Sequence, residues 1–350
     1  MTDNAFRIAV MPGDGIGHEV MAPTLELLDA VAAQVGGFDF VFEHHAVGAQ
    51  AYLDSGTALS DETITAAGAA DAILFGAAGD PAVRYPDGTE IAPQLTLREH
   101  FELYAGVRPI RALPASPAVL TDVRAADIDF VIVRESTEGL FASRRLGTVE
   151  DDVARGVMEI TRATSEKLFD FSFDLASQRR ARGRPGRLTC VDKANVITAL
   201  AFFRQIFDQR AVNFPEITAD HAYVDATALD LVRQPWNFDV LVTENMFGDI
   251  LSDLGAALIG GMGFAPSADI GDKHAVFQPC HGSAPDIAGQ GLANPAAMFL
   301  SASLMLEWLG QRHGLEACRE GAELITAAVD GSSAGTAEVA SAVMARIAGT

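Results

Sequence analysis

FRIAVMPGDGIG (6–17) begins a pattern of strands and helices that decides the fold class. Its apolar half is typical of a buried strand, its glycines predict a tight turn, and EVMAPTLELLDAVAAQV (19–35) has the period of an amphipathic helix. FDFVFEHH (38–45) predicts a second strand, and a helix near 60–69 precedes the strand DAILFGAAG (71–79). This βαβαβ alternation predicts an α/β protein in which helices cover a parallel sheet.

The glycine turn differs from the dinucleotide-binding fingerprint. The pattern G-x-G-x-x-G would need glycine at position 18, where the chain has His18. We therefore do not expect a standard Rossmann fold, and a metal-independent hydroxy-acid dehydrogenase of that type is kept as an alternative.

Length and composition limit the classes of protein to consider. A chain of 350 residues that is 49% hydrophobic can form two domains or one large α/β unit. The net charge of −22 disfavours nucleic-acid partners. The N-terminal sequence lacks a signal-peptide pattern and the apolar runs are short, so we expect a cytoplasmic protein without membrane contact. The three cysteines have no CxxC spacing, and each is predicted to be a buried apolar residue rather than a nucleophile.

Later segments continue the α/β pattern. LTLREHFELYA (95–105) has helical spacing, the tail from about 293 predicts helices, and the basic run RRARGRPGR (179–187) predicts a surface turn. Polar residues at the ends of strands often line functional sites. The strand candidates that end in such residues are DFVIVRES (129–136), RLTCVDKA (187–194), HAYVDA (221–226) and FDVLVTEN (238–245).

Asp249 and Asp253 lie four residues apart in a helical, apolar pattern. This spacing places both carboxylates on one helix face, where a shared cation would relieve their repulsion. All-oxygen ligation suits Mg²⁺ or Mn²⁺. A solvated helix face is the alternative, but a buried-strand pattern on one side and a glycine-rich apolar run on the other favour a metal site.

Arginines cluster within one stretch of this acidic chain. A local basic pocket suits a substrate that carries several carboxylates, although any one arginine could instead pair with a nearby acid on the surface. The arginines are Arg98, Arg108, Arg111 and Arg134.

Seven ordered motifs resemble those of the β-decarboxylating dehydrogenases, a family that includes isopropylmalate, isocitrate, homoisocitrate and tartrate/D-malate dehydrogenases. The resemblance covers nearly the whole chain and is closest overall to the isopropylmalate dehydrogenases. The motifs are PGDGIGHEV (12–20), LTLREH…VRP (95–109), VRESTEGLF (133–141), VDKAN (191–195), YVDA (223–226), NMFGDILSD (245–253) and HGSAPDIAG…ANP (281–295).

The resemblance implies a two-domain α/β fold with mixed sheets covered by helices, distinct from the Rossmann fold. It implies a larger, discontinuous NAD-binding domain (1–103 plus 255–350) and a central domain (104–254) that carries the dimer interface and the metal and substrate residues. It also implies a homodimer with shared active sites. The reaction is oxidation of a 2-hydroxy acid at C2, followed by loss of the β-carboxylate as CO₂ through an enolate that a divalent cation stabilises.

Motif positions carry the family roles onto this chain. The resemblance implies metal ligation by Asp249, Asp253 and Asp225 of the partner subunit, binding of the substrate carboxylates by Arg98, Arg108 and Arg134, and removal of the hydroxyl proton by Lys193 of the partner subunit. The implied cofactor-binding residues are His281, Gly282, Ser283, Ala284, Pro285, Asp286, Ile287 and Asn294. Asp286 predicts NAD rather than NADP, because an acid accepts ribose hydroxyls and repels a 2′-phosphate.

Two positions depart from the family pattern. Phe141 stands where the family has a tyrosine that donates a proton to the enolate carbon, and a phenyl ring cannot donate one. Where the family recognises the C3 substituent, this chain has Ala92, Gln94 and Leu95, which match neither the isopropylmalate nor the isocitrate pattern. A substrate like 3-isopropylmalate is the first expectation. Tartrate/D-malate, isocitrate and homoisocitrate activities stay open, as does a catalytically impaired relative that binds a dicarboxylate.

Overall fold

The computed structural model describes residues 4–117 and 119–349. The chain divides into two compact units. Unit 1 comprises Met1–Phe101, Leu113–Pro117 and Gly260–Thr350, and unit 2 comprises Glu102–Ala112 and Ala118–Ile259. In the described ranges, no helix is both long and apolar enough to cross a membrane.

Strands and helices alternate through most of the chain. The strands are β1 (Ala5–Gly13), β2 (Asp39–His44), β3 (Ala72–Ala77), β4 (Ala105–Arg111), β5 (Asp129–Glu135), β6 (Thr148–Glu150), β7 (Val153–Arg155), β8 (Arg187–Asp192), β9 (Thr218–Tyr223), β10 (Val240–Thr243), β11 (Pro266–Ile270) and β12 (Ala275–Pro279). The helices are α1 (Gly17–Val35), α2 (Ala49–Ser55), α3 (Asp61–Ala69), α4 (Pro93–His100), α5 (Gly139–Ala142), α6 (Arg162–Ala181), α7 (Thr198–Ala211), α8 (Val224–Arg233), α9 (Asn245–Leu258), α10 (Ala296–His313), α11 (Glu316–Ala328) and α12 (Thr336–Ala348).

Unit 1 contains a mixed sheet in the strand order β2-β1-β3-β12-β11. Strands β2, β1, β3 and β12 are parallel, and β11 runs antiparallel to β12. Helices α1, α10, α11 and α12 pack together in this unit. The parallel βαβαβ arrangement predicted for the N-terminal region is confirmed.

Unit 2 contains strands in the order β4-β5-β10-β8-β9. Strand β4 is antiparallel to β5, and the other neighbours are parallel. Helices α6 and α7 pack through aromatic rings, with the centroid of Phe169 at 4.6 Å from that of Phe203 and 5.3 Å from that of Phe207. Helix α9 packs on β5 and helix α8 packs on α9. The predicted mixed sheets covered by helices are therefore present.

Some local predictions were wrong. The helix predicted over 95–105 ends at His100, and Glu102 then has a φ of 50° that a helix cannot contain. The strand predicted over 221–226 ends at Tyr223, so Asp225 lies in the first turn of α8. Strands β4, β6, β7, β11 and β12 were not predicted. Strands β6 and β7 are only three residues long, and β4 and β11 are mostly buried without alternation.

The predictions for the basic run and for the cysteines had mixed outcomes. In the basic run 179–187, Arg179 is bound to Asp129 and Asp239, which makes it a structural residue rather than part of a solvated turn. Cys190 and Cys318 are buried as predicted, whereas Cys280 is only half-buried.

The turn at the end of β1 requires glycine at position 13 because there is no space for a side chain. Gly13 has a φ of +77°, and a Cβ built there would overlap the carbonyl oxygen of Ala77 on the neighbouring strand β3. Gly56 has a similar φ of +79°, but apart from its two chain neighbours no described residue would have an atom within 4 Å of a Cβ at that position. The two positions share a left-handed backbone and differ in crowding.

We predict that Gly13→Ala lowers the free energy of unfolding by about 3 kcal/mol or more, whereas Gly56→Ala lowers it by about 1 kcal/mol. The strained backbone accounts for the smaller loss, and the clash with Ala77 accounts for the difference. Urea unfolding of the wild type and both variants measures these losses in the free energy of unfolding. Equal losses would contradict the close approach of β1 and β3.

Candidate active site

Arg134 is the centre of a buried polar cluster in unit 2. It is the penultimate residue of β5 and only 6% exposed. Its Nε and Nη2 donate to Oδ1 of Asn245 at 3.0 and 2.8 Å, and its Nη1 pairs with the carboxylate of Asp249. Asn245 in turn donates from Nδ2 to the carbonyl of Glu138 at 2.8 Å. The start of α9 is thereby tied to the end of β5.

The start of α9 packs closely against Arg134. The carboxylate of Glu244 accepts hydrogen bonds from the backbone N–H groups of Phe247 at 2.7 Å and Met246 at 3.0 Å, and so caps the helix. A Cβ at Gly248 would lie 2.6 Å from the Cβ of Arg134. The missing side chain at Gly248 therefore allows the arginine to lie against the helix.

Asp249 and Asp253 occur on α9 as predicted, one helical turn apart. The pKa of Asp253 is raised, first by partial burial and then by the negative charge of Asp249, while Arg134 and Arg108 act in the opposite direction. Arg108 lies on β4 and is 4% exposed. Asp249 and the two buried guanidinium groups of Arg134 and Arg108 therefore lie within electrostatic range of Asp253.

Phe141 lies beside the same arginine. The guanidinium carbon of Arg134 is 5.6 Å from the centroid of the Phe141 ring, and Phe141 is 36% exposed. The residue at the family's tyrosine position thus belongs to this cluster and is open to solvent.

Lys193 and Asp225 form an ion pair within one chain. Lys193 directly follows β8, and its Nζ also lies 5.7 Å from the centroid of the Tyr223 ring. The hydrogen bond from Lys193 is the main cause that lowers the pKa of Asp225, whose side chain is 68% exposed. Over residues 4–117 and 119–349, no three His, Cys, Asp or Glu side chains are grouped closely enough to hold a metal, so one chain does not bring Asp225 to Asp249 and Asp253.

Arg98 belongs to unit 1, where it is 8% exposed on α4. Its Nε donates to Oδ2 of Asp269 at 2.9 Å, and this oxygen also accepts from Nε2 of Gln278 at 3.2 Å. Asp269 is 1% exposed, so the pair is shielded from water. On the same helix, Oε1 of Gln94 is buried without a hydrogen-bond partner among the described residues, and Leu95 is half-buried.

The predicted cofactor residues lie in a loop of unit 1, residues 281–291, and just beyond it. The hydroxyl of Ser283 donates to the carbonyl of Gly79, and Asp286 is exposed. Nδ1 of His281 contacts the carbonyl of Gly282 at 3.0 Å, and burial lowers the pKa of His281. Its Nε2 is buried and has no hydrogen-bond partner in the part of the chain that the structure describes.

Other members of this predicted set have local structural tasks. Oδ1 of Asn294 accepts the N–H of Ala296 at 2.9 Å at the start of α10, and its Nδ2 donates to the carbonyl of Ser332 at 2.9 Å. Ala284 has a φ of 39°, and its carbonyl accepts from the N–H of Ile287 at 3.1 Å. Two others, Gly282 and Pro285, are exposed.

Comparison with known proteins gives the family. The profile of the isocitrate/isopropylmalate dehydrogenase family matches residues 7–342. The 3-isopropylmalate/3-methylmalate dehydrogenase of Methanocaldococcus jannaschii is 40% identical over 92% of this chain and 91% of its own length. The homoisocitrate dehydrogenase of the same organism is 39% identical over 90% and 88%. The isocitrate dehydrogenase of Methylococcus capsulatus superposes with a TM-score of 0.83 at 34% identity, covering 98% of this chain and 99% of that one.

The chain belongs to the isocitrate/isopropylmalate dehydrogenase family. It is therefore an oxidoreductase that acts on a CH–OH group, and the resemblance and fold class predicted from the sequence are confirmed. Family membership excludes the Rossmann-type alternative. Relatives named for different substrates match at 40% and 39% identity, so identity alone does not select the substrate.

The sequence predictions did not include several buried residues of this family member, among them Asn245, Glu135 and Asp269. Asn245 and Glu135 lie inside motifs that were recognised, so membership of a motif was the available signal. Asp269 lies outside the recognised motifs. Its role depends on contact with Arg98 from a distant segment, so nothing in the local sequence indicated it. The carboxylate of Glu135 accepts from the N–H and hydroxyl of Thr137, both at 2.6 Å, yet burial raises its pKa to about 7.

The raised pKa of Glu135 predicts a dependence of stability on pH. Between its ordinary value of 4.5 and about 7, the folded chain keeps a proton that the unfolded chain has lost, so the free energy of unfolding falls as pH rises through this window. We expect Glu135→Gln to remove a slope of about 1 kcal/mol per pH unit. Urea unfolding from pH 5 to 7.5 measures it, with the exposed Glu159→Gln as the control. An unchanged slope in Glu135→Gln would contradict the assignment.

Proposed function

We propose that this chain catalyses the oxidative decarboxylation of a 3-substituted malate, first of all one like 3-isopropylmalate, to a 2-oxo acid, CO₂ and NADH, using NAD and Mg²⁺ or Mn²⁺. The observation that carries the proposal is the cluster in unit 2. Buried Arg134 pairs with Asp249, and buried Arg134 and Arg108 both lie within electrostatic range of Asp253. Such a cluster supports a ligand that has carboxylates for the arginines and a bound cation for the aspartates.

In this proposal the chain's own residues orient the substrate and move its proton. Arg108 and Arg134 would bind its carboxylates, because planar guanidinium groups fix orientation by paired hydrogen bonds. Lys193 would take part in removing the C2 hydroxyl proton. The chemistry supplied by the bound groups is acceptance of a hydride by NAD and stabilisation of negative charge by the divalent cation.

The metal site needs two chains. Asp249 and Asp253 supply oxygen ligands of the type that Mg²⁺ and Mn²⁺ prefer. Burial and then repulsion from Asp249 raise the pKa of Asp253, and a cation would relieve that repulsion. Within one chain Asp225 does not join them. We infer that the third carboxylate is Asp225 of the partner subunit, and that Lys193 of the partner subunit enters the site with it.

Exposed features of unit 2 support a homodimer. Strands β6 and β7 form a two-stranded sheet whose residues are all exposed, and such a hairpin is marginally stable by itself. Val149 on this hairpin is 82% exposed, Leu229 on α8 is 56% exposed and Ile250 on α9 is 60% exposed. A second copy that covers these apolar side chains would remove them from water.

Residues near the 281–291 loop support NAD as the cofactor. Asp286 is exposed and can accept ribose hydroxyls, while its charge would repel the 2′-phosphate of NADP. The buried Nε2 of His281 has no partner in the described chain, so a ligand atom could satisfy it. The net charge of −22 fits an enzyme that acts on small molecules and does not bind nucleic acid.

Two further observations favour alternative substrates or an alternative function. Among the described residues, Oε1 of Gln94 is buried without a partner, which favours a substrate with a hydroxyl on C3, as in tartrate, because a buried acceptor gains from a donor. D-malate has no C3 substituent and stays open as the other substrate of the tartrate/D-malate branch. Phe141 favours a catalytically impaired relative that binds a dicarboxylate. Isocitrate and homoisocitrate stay in the substrate set.

A panel of 3-substituted malates, with tartrate, D-malate, isocitrate and homoisocitrate, tests the function. With Mn²⁺ and NAD we expect NADH formation on at least one compound, loss of that activity with a chelator, and its return on addition of metal. NAD should give a higher kcat/KM than NADP, since Asp286 repels the added phosphate.

The panel also separates the alternatives. Binding of a compound without NADH formation would favour the catalytically impaired relative. Activity that survives chelation would contradict the proposed requirement for a divalent metal. A higher kcat/KM with NADP would refute the role given to Asp286.

Phe141→Tyr tests whether a missing proton donor limits the rate. We expect kcat on the true substrate to rise by about tenfold or more, because a positioned general acid contributes factors of this size or larger. Phe202→Tyr is the matched control, since its ring also faces an arginine, with the guanidinium carbon of Arg162 at 5.4 Å. An unchanged kcat in Phe141→Tyr would show that protonation at this position does not limit turnover.

A further inference from the structure

The glycine turn after β1 contacts the 281–291 loop. The N–H of Ile16 donates to the carbonyl of Ser283 at 2.9 Å. Gly15 has a φ of +52°, and a Cβ there would overlap that same carbonyl oxygen. The turn that does not match the dinucleotide fingerprint is therefore shaped to contact a loop from the C-terminal part of the chain.

Glu19 holds the far end of the same loop. It lies in the first turn of α1. One of its carboxylate oxygens accepts the N–H of Gly289, and the other accepts the N–H of Gly291 at 3.2 Å. The carbonyl of Gly291 in turn accepts the N–H of Thr336 at 2.9 Å. Gly289 and Gly291 have φ values of 77° and 67°, so this end of the loop depends on a conformation that few other residues adopt.

We propose that Glu19 is a positioning residue for NAD: it acts through the 281–291 loop and has no contact with the cofactor itself. The inference rests on the proposed function, in which this loop binds the adenosine part of NAD. With the Ile16 contact at one end and the Glu19 contacts at the other, the segment that contains Asp286 is held between two fixed points. A loop that is ordered before NAD binds loses less entropy on binding.

The carboxylate is suited to this task because both of its oxygens accept. Hydrogen bonds from backbone N–H groups to a charged acceptor are stronger than those to a neutral one. Glutamine keeps one acceptor oxygen and presents an NH₂ group to the second N–H, so Glu19→Gln loses part of the anchor. Glu19→Ala loses all of it. Glu26 lies on the same helix and is exposed, which makes Glu26→Gln the matched control.

The experiment combines hydrogen exchange with kinetics. Without NAD, amide exchange within 281–291 should be faster in Glu19→Ala than in the wild type and intermediate in Glu19→Gln. In steady state, KM for NAD should rise by about tenfold in Glu19→Ala and by about threefold in Glu19→Gln. KM for the hydroxy acid and kcat at saturating NAD should stay unchanged, because the anchor affects cofactor binding alone.

The outcomes are distinct. Exchange in Glu19→Ala equal to that of Glu26→Gln, or an unchanged KM for NAD, overturns the proposal, and so does an equal change in both KM values. If Glu19→Ala does not fold, Glu19→Gln carries the same comparison. A wild type that neither binds NAD in a calorimetric titration nor forms NADH refutes the proposed function, whereas the exchange comparison without NAD still tests the anchor.

Discussion

Burial of one guanidinium group governs the arrangement of unit 2. Arg134 is almost inaccessible to water, and an unpaired charge in that place would be costly. Asn245 and Asp249 remove most of that cost, but only if α9 begins where β5 ends. The cap by Glu244 and the missing side chain at Gly248 serve the same placement. The position of the two aspartates on α9 is thus a consequence of how the protein accommodates this arginine.

The sequence predicts best where a local pattern and the tertiary structure agree. The strand, turn and helix around Gly13 were predicted because apolar periodicity and glycine turns are local signals. The placement of Asp249 and Asp253 on one helix face was also local, since it needs only their spacing. Motif order carried the family, which the comparisons confirm. The roles of the site residues stay predictions until the experiments are done.

Long-range contacts account for what the sequence could not predict. Asp269 pairs with Arg98 across 171 positions, and no window of sequence contains both. Asp225 was expected at a strand end, but the strand stops at Tyr223 and a helix begins, a boundary that propensity places poorly. The burial of Glu135 is likewise a tertiary property, because a glutamate in a polar motif looks exposed in sequence.

The discontinuity of unit 1 has a consequence for synthesis. Strand β12 pairs with β3, with Val276 opposite Ile73, so an N-terminal strand must wait for a partner made much later. Unit 2 is nearly continuous and lies between the two halves of unit 1 in the sequence. On the ribosome, the strand pairs within unit 2 can form before β12 is made, while β3 keeps an unpaired edge. The edge of β3 therefore stays open until β12 has been made, and an open strand edge is a surface on which chains can aggregate.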